Sequence, residues 1–161
     1  MERLWSPWRA KYIASGVDSQ AETCVFCRIS ADPANDAANF VLYRGTNAFV
    51  VLNLYPYITG HLLVIPYQHI GDLDAAAKEI TDELMDLIKR SQSTLRQVYS
   101  PQGFNIGMNL GAAAGAGIVD HIHWHVLPRW SGDTNFMTTV AGARVIPEDL
   151  ETTYSRLRGK L

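Results

Sequence analysis

His121, His123 and His125 are three of the chain's five histidines and alternate within His121-Ile122-His123-Trp124-His125-Val126-Leu127-Pro128. In an extended strand successive side chains point to opposite faces, so the three imidazoles share one face and Ile122, Trp124 and Val126 the other. Imidazole titrates near neutral pH, and neighbouring imidazolium ions repel in a partly buried site, so at least one ring is held neutral. A neutral ring has two uses in this pattern. It coordinates zinc or a similar ion, or it attacks phosphorus while the other rings handle phosphate oxygens and protons. The plainer alternatives are a surface tract or a set of core histidines. Burying three polar rings on one face without partners is costly, which favours a site.

Just before the histidines runs Gly111-Ala112-Ala113-Ala114-Gly115-Ala116-Gly117. Residues without bulk let backbone N–H groups approach a ligand, and consecutive amides in such a turn form an anion-binding concavity. The segment could be a flexible connector. Its position ahead of three imidazoles fits a phosphate cradle better. The only two cysteines form the pair Cys24-Val25-Phe26-Cys27. In a reducing compartment that spacing suits a metal or redox site more than a structural disulfide.

These residues need a scaffold, and 161 residues with 47% hydrophobic and 19% charged composition suit one domain with its own core. A net charge of -2 gives no basic footprint for nucleic acid and no polybasic membrane patch. The start carries no signal-type apolar core, and the apolar region 48–67 is broken by Asn53, Pro56, Gly60 and His61, which points to a soluble, cytoplasmic protein. Residues 1–23, with Trp5, Trp8 and Tyr12, read as an irregular or partly helical arm. Residues 24–130 read as the core, with 24–29 a short turn segment, and 131–161 as a C-terminal segment of the same domain.

Strands are expected over 40–43, 48–52, 61–66, 104–110 and the histidine stretch, with a hairpin turn at Arg44-Gly45-Thr46-Asn47. From Ile80 the apolar positions Leu84, Leu87, Ile88, Leu95 and Val98 follow helical spacing, with Thr81 as the cap and Pro101 as the stop. Pro147-Glu148-Asp149-Leu150 opens a short final helix that presents Leu150, Tyr154 and Leu157. Strands in sequential runs around one long helix imply an α+β domain with a mostly antiparallel five-stranded sheet.

His-x-His-x-His followed by Val126-Leu127, the glycine-rich loop, and Gly60-His61-Leu62-Leu63-Val64-Ile65-Pro66 together resemble the histidine triad superfamily. The tail from Pro128 to Phe136 looks closest to the branches of diadenosine tetraphosphate phosphorylases and fragile-histidine-triad hydrolases. The resemblance implies cleavage of a nucleotide or dinucleoside polyphosphate at the α-phosphate through a covalent nucleotidyl-histidine on His123. It implies that His125 bonds phosphate or leaving-group oxygens, that Asn109 contacts phosphate, and that loop amides near Ala116 and Gly117 stabilise developing charge. Asn53 matches the position that contacts the ribose, and His61 supports the triad. Bacterial members also carry structural zinc on residues matching Cys24, Cys27, His69 and His121, a closed set of soft sulfurs and imidazoles. Family members commonly pair as homodimers.

Two departures bear on the reaction. Ile118 stands where members often place Ser or Thr, and Ala116-Gly117 replaces the Gly-Ser of the phosphorylase branch. Both lose a hydroxyl, which favours hydrolysis over phosphorolysis or phosphoramidate cleavage. The competing readings are a nucleoside phosphoramidate hydrolase, a zinc-stabilised nucleotide-binding protein with little turnover, and a catalytic metal held by all three triad histidines.

Overall fold

In the computed structural model, which describes residues 24–141 and 145–161, the β-branched and aromatic runs form five strands. They are β1 (Val41–Arg44), β2 (Ala48–Leu52), β3 (Leu62–Pro66), β4 (Gly103–Gly107) and β5 (Trp124–Arg129). The sheet is antiparallel throughout, in the order β1-β2-β3-β5-β4, so the last strand in sequence lies inside the sheet. Every residue of β2 and β3 is buried, as a strand covered on both faces must be. The arm with Trp5, Trp8 and Tyr12 lies outside the described residues.

The two faces carry different contents. Val50, Leu62, Val64, Ile122 and Val126 join the main core, which includes Leu84, Ile88 and Leu95 of the long helix α2 (Lys78–Tyr99). On the opposite face Phe49, Val51, Leu63 and Ile65 meet Phe26 and Ile29 of a short helix, α1 (Val25–Ser30). Burying each large aliphatic side chain contributes roughly 1.5–3 kcal/mol, so α2 is held mainly by this stripe.

Four expectations need correcting. The segment expected as a turn over 24–29 is helical from Val25 to Ser30, because tertiary bonds hold a segment whose own residues favour helix weakly: Arg44 donates to the carbonyls of Ser30 at 3.0 Å and Ile29 at 2.8 Å while pairing with Asp36. Thr81 does not cap α2. The helix begins at Lys78 after Ala77, and the Thr81 hydroxyl donates back to the Lys78 carbonyl at 2.9 Å within the first turn. The histidine strand pairs only from Trp124: its ladder with β3 stops at Val64 opposite Trp124, β4 ends at Gly107 opposite His125, and ahead of them Ile122 N–H instead bonds the Ile70 carbonyl at 2.7 Å. Finally, α3 (Phe136–Ala141) adds a helix that the sequence reading did not foresee.

The end of α2 follows its sequence signal. Ser100 adopts a left-handed conformation, its N–H bonds the Arg96 carbonyl at 3.1 Å, and Pro101 follows. The last helix, α4 (Leu150–Leu157), starts where Asp149 accepts the N–H of Thr152 at 2.7 Å. Its Leu157 is fully buried, while Leu150 and Tyr154 pack on the core. Glu148 fastens this end to α2 by accepting hydrogen bonds from the hydroxyls of Tyr99 at 2.5 Å and Thr153 at 2.9 Å. Among the described residues no helix is long and apolar enough to cross a membrane.

Candidate active site and metal centre

The alternation expected for residues 121–126 holds although pairing starts only at Trp124. Ile122, Trp124 and Val126 belong to the α2 side, whereas the rings of His121 and His123 meet Phe26 on the other side. His125 sits opposite Leu63 in the β3–β5 ladder and so shares that second face. His121 and His123 are buried, and His125 is half-buried.

Hydrogen bonds fix the tautomer of each neutral ring. His123 Nδ1 lies 2.9 Å from the His121 carbonyl, which can only accept, so Nδ1 carries the proton and Nε2 keeps its lone pair. The Tyr57 backbone N–H donates to His61 Nδ1 at 3.1 Å, so His61 is protonated on Nε2. That Nε2–H donates to His125 Nδ1 at 2.8 Å, which leaves His125 with a proton on its outer Nε2. One ring thus offers a lone pair and its neighbour a donor. Their centroids are 5.1 Å apart and the rings stand edge to face.

Electrostatics favour the neutral forms. Burial, then the neighbouring His125 and His123 rings, push His61 down to about 3. Burial and His123 push His125 down to about 4. Burial also lowers His123, against the raising effect of its bond to the His121 carbonyl. Each ring is therefore uncharged near pH 7, the state in which an imidazole can act as a nucleophile or ligand.

Asn53 is held against His61. Its Nδ2 lies 3.3 Å from His61 Nδ1, and its Oδ1 accepts the Tyr55 N–H at 3.0 Å. Gly60, with φ of +76°, turns the chain into His61; a Cβ there would lie 3.1 Å from the Leu95 side chain. These contacts place His61 so that it supports His125 directly.

Cys24, Cys27, His69 and His121 form the second constellation, with their donor atoms all within 4.8 Å of one another. His121 Nδ1 is 3.4 Å from Cys24 Sγ, 3.6 Å from Cys27 Sγ and 3.2 Å from His69 Nδ1, and Cys27 Sγ is 3.3 Å from His69 Nδ1. Bond lengths of about 2.0–2.3 Å in a tetrahedral zinc site give edges of roughly 3.3–3.8 Å, so these spacings fit a metal. The other nitrogen of His121 donates to the Pro66 carbonyl at 2.9 Å, the outer bond that fixes a ligating ring. Burial leads the lowering of His121, which keeps it neutral for coordination. The triad rings do not converge on one metal position: His121 turns to the cysteines, His123 to a backbone carbonyl and His125 to His61.

The loop between β4 and β5 is more ordered than its composition suggests. It makes a single 3-10 turn, Ala112–Ala114, flanked by the positive-φ glycines Gly111 and Gly115. Ala116 N–H is engaged within the loop, bonding the Gly111 carbonyl at 3.3 Å, while Gly117 follows it exposed. Asn109 stands half-buried at the loop's entrance. The structure brings neither Asn109 nor Ala116 into hydrogen-bond contact with a triad ring. Ile118 packs against the apolar side of the α1 face. A cleft of about 540 Å³ opens beside the loop, but Asp72 and Asp120 line it, an unfavourable wall for a polyphosphate.

Three residues with a hand in the site escaped the sequence reading. Tyr57 supplies the N–H that sets the His61 tautomer, and its ring stacks on His125 at 5.9 Å. Phe26 contacts two triad rings, and Arg44 holds α1 in place. An aromatic four residues before His61 and another between two cysteines were the available signals; Arg44 had none.

Comparison with known proteins agrees with this geometry. The HIT domain model matches residues 34–132. The AP-4-A phosphorylase of Mycobacterium tuberculosis (strain CDC 1551 / Oshkosh) is 38% identical over 162 residues, covering 95% of this chain and 80% of that protein. The asymmetrical bis(5'-nucleosyl)-tetraphosphatase of Schizosaccharomyces pombe is 36% identical over 94 residues, 58% of this chain and 50% of that protein. The crystal structure of a zinc-bound histidine triad family protein from Mycobacterium smegmatis superposes with a TM-score of 0.68 at 34% identity, covering 86% of this chain and 92% of that one. A matching domain model, a relative aligned over 95% of the chain and a shared fold converge on one conclusion: the chain belongs to the HIT-domain family of histidine triad proteins.

Proposed function

We propose that the protein cleaves dinucleoside polyphosphates of the diadenosine tetraphosphate type at the α-phosphate, through a nucleotidyl intermediate on His123. The observation that carries this reading is the 2.9 Å bond from His123 Nδ1 to the His121 carbonyl, which leaves Nε2 as a free lone pair. Nε2 attacks the α-phosphorus, a P–N bond forms, and the P–O bond to the departing nucleoside triphosphate breaks. The His125 Nε2–H donates to phosphate or leaving-group oxygens where negative charge grows. An acceptor then attacks the same phosphorus and restores the free ring.

The relatives named as a phosphorylase and a tetraphosphatase support a nucleotidyl hydrolase or transferase. Diadenosine tetraphosphate gives AMP and ATP when the acceptor is water, and ADP and ATP when it is inorganic phosphate. The absence of a hydroxyl at Ala116-Gly117 supports water, and the phosphorylase relative supports phosphate. Product analysis with and without phosphate separates the two. Asn53 is the candidate ribose contact, and Asn109, Ala116 and Gly117 are the candidate phosphate contacts, reached once substrate draws the loop onto the triad.

The metal in this reading is zinc, held by Cys24, Cys27, His69 and His121, where it would cross-link α1 to the histidine segment. The exposed edge of β4, carrying Ile106, supports pairing of two copies in the cytoplasm, and light scattering reads that state. Labelled diadenosine tetraphosphate should trap an acid-labile adenylate on the wild-type protein and none on His123→Ala. Equal labelling of the two removes His123 as the nucleophile.

A further inference from the structure

We propose that Phe26 is a positioning residue for His123, and that through it the metal cluster sets the orientation of the attacking ring. This rests on reading His123 as the nucleophile and the cluster as metal-bound.

Phe26 lies between Cys24 and Cys27 on α1, a helix of six residues. A helix that short has little stability of its own, so its placement depends on what grips its ends. At one end are two candidate metal ligands; at the other, Arg44 holds the Ser30 and Ile29 carbonyls. The buried Phe26 ring is directed at the triad, edge-on to His121 at 5.4 Å and tilted against His123 at 5.1 Å.

His123 is therefore confined on three sides: Phe26, the edge-to-face ring of His125 at 5.1 Å, and the His121 carbonyl at 2.9 Å. Two of those three restraints come from the metal cluster. Phe26 rides on the segment that joins the cysteines, and the carbonyl belongs to a residue whose side chain is itself a ligand. A metal drawing the two segments together presses Phe26 onto the nucleophile and fixes the carbonyl that selects its tautomer. In-line attack tolerates little misplacement, so loosening either restraint lowers the chemical step more than substrate binding.

The test uses the metal-loaded protein with Phe26→Leu, which keeps apolar bulk but loses the ring, and Phe26→Tyr, which restores it. Metal content and the absorption of a cobalt-substituted site report the cluster; nitrogen-15 imidazole shifts report the His123 tautomer. Phe26→Leu should keep full metal content, lose about 10-fold in kcat for diadenosine tetraphosphate with KM little changed, and show averaged Nδ1 and Nε2 shifts at position 123. Phe26→Tyr should return both readouts toward wild type, and chelation of the wild type should reproduce the averaged shifts. Wild-type kcat and a single tautomer in Phe26→Leu would overturn the proposal, as would a chelated, still folded wild type with an unchanged His123 spectrum. Should chelation unfold the chain, the loaded variants decide. The trapping experiment with His123→Ala fails independently: it removes the nucleophile reading, whereas the nitrogen shifts still report whether Phe26 and the metal hold that ring.

Discussion

His61 Nε2 stands 2.8 Å from His125 Nδ1, and this contact turns the outer nitrogen of His125 into a donor. His61 receives its own instruction from the Tyr57 backbone N–H at 3.1 Å, so a main-chain group sets the proton position two rings away. Replacing His61 by Gln interrupts the relay while leaving a polar group in place. One lost hydrogen bond of about 1–1.5 kcal/mol corresponds to roughly a tenfold fall in rate. Steady-state kinetics of His61→Gln should show that fall in kcat; an unchanged kcat refutes the relay.

The same burial predicts sensitivity to acid. His61 is pushed down to about 3 and His125 to about 4, whereas both take up a proton near 6.5 in the unfolded chain. Between those values the unfolded state binds more protons, so stability falls as pH falls, and above 6.5 the effect is fully absent. Urea midpoints should be level from pH 8 to 7 and then decline steadily toward pH 4. The decline should be shallower in His61→Gln, and identical slopes in the two proteins would place the acid sensitivity elsewhere.

Removing a donor of the proposed metal site should cost stability as well as metal. Cys24→Ser deletes one of four converging donors and frees one end of α1 from the histidine segment. Elemental analysis should find substoichiometric metal in this variant. The melting temperature should fall by several degrees, at about 2–4 °C per kcal/mol for a chain of this size. A full metal complement with unchanged melting would count against Cys24 as a ligand.

Glu83 of α2 caps the β1–β2 turn, accepting the N–H groups of Thr46 and Asn47, each at 2.7 Å, and the Asn47 side chain at 2.8 Å. Gly45 is required beside it, because a Cβ there would run into the carboxylate. Gly45→Ala and Glu83→Ala should each destabilise the fold by about 1–3 kcal/mol in chemical denaturation.

Residue types and their spacing revealed the parts whose determinants are local. The two-residue period of 121–126, the helical stripe from Ile80 to Leu95 and the stop at Pro101 all appear in the structure. Determinants that act across the chain were invisible. Val25 to Ser30 becomes helical because Arg44, fourteen residues beyond Ser30, takes its last carbonyls, and no periodicity encodes that. Thr81 looked like a cap because capping residues are recognised by type, yet Lys78 to Ile80 extend α2 ahead of it. The place of β5 between β3 and β4 is likewise a pairing choice, not a property of either strand's letters.

Strand β5 and the residues leading into it keep two kinds of side chain on opposite sides of one sheet. Mutational tolerance should therefore alternate with the pleat. Changes at Ile122 or Val126 should show first as poor expression, whereas changes at His123 or His125 should yield well-folded but inert protein. Neighbouring codons in this segment thus answer to different selective pressures, and the chemistry can drift without disturbing the architecture that carries it.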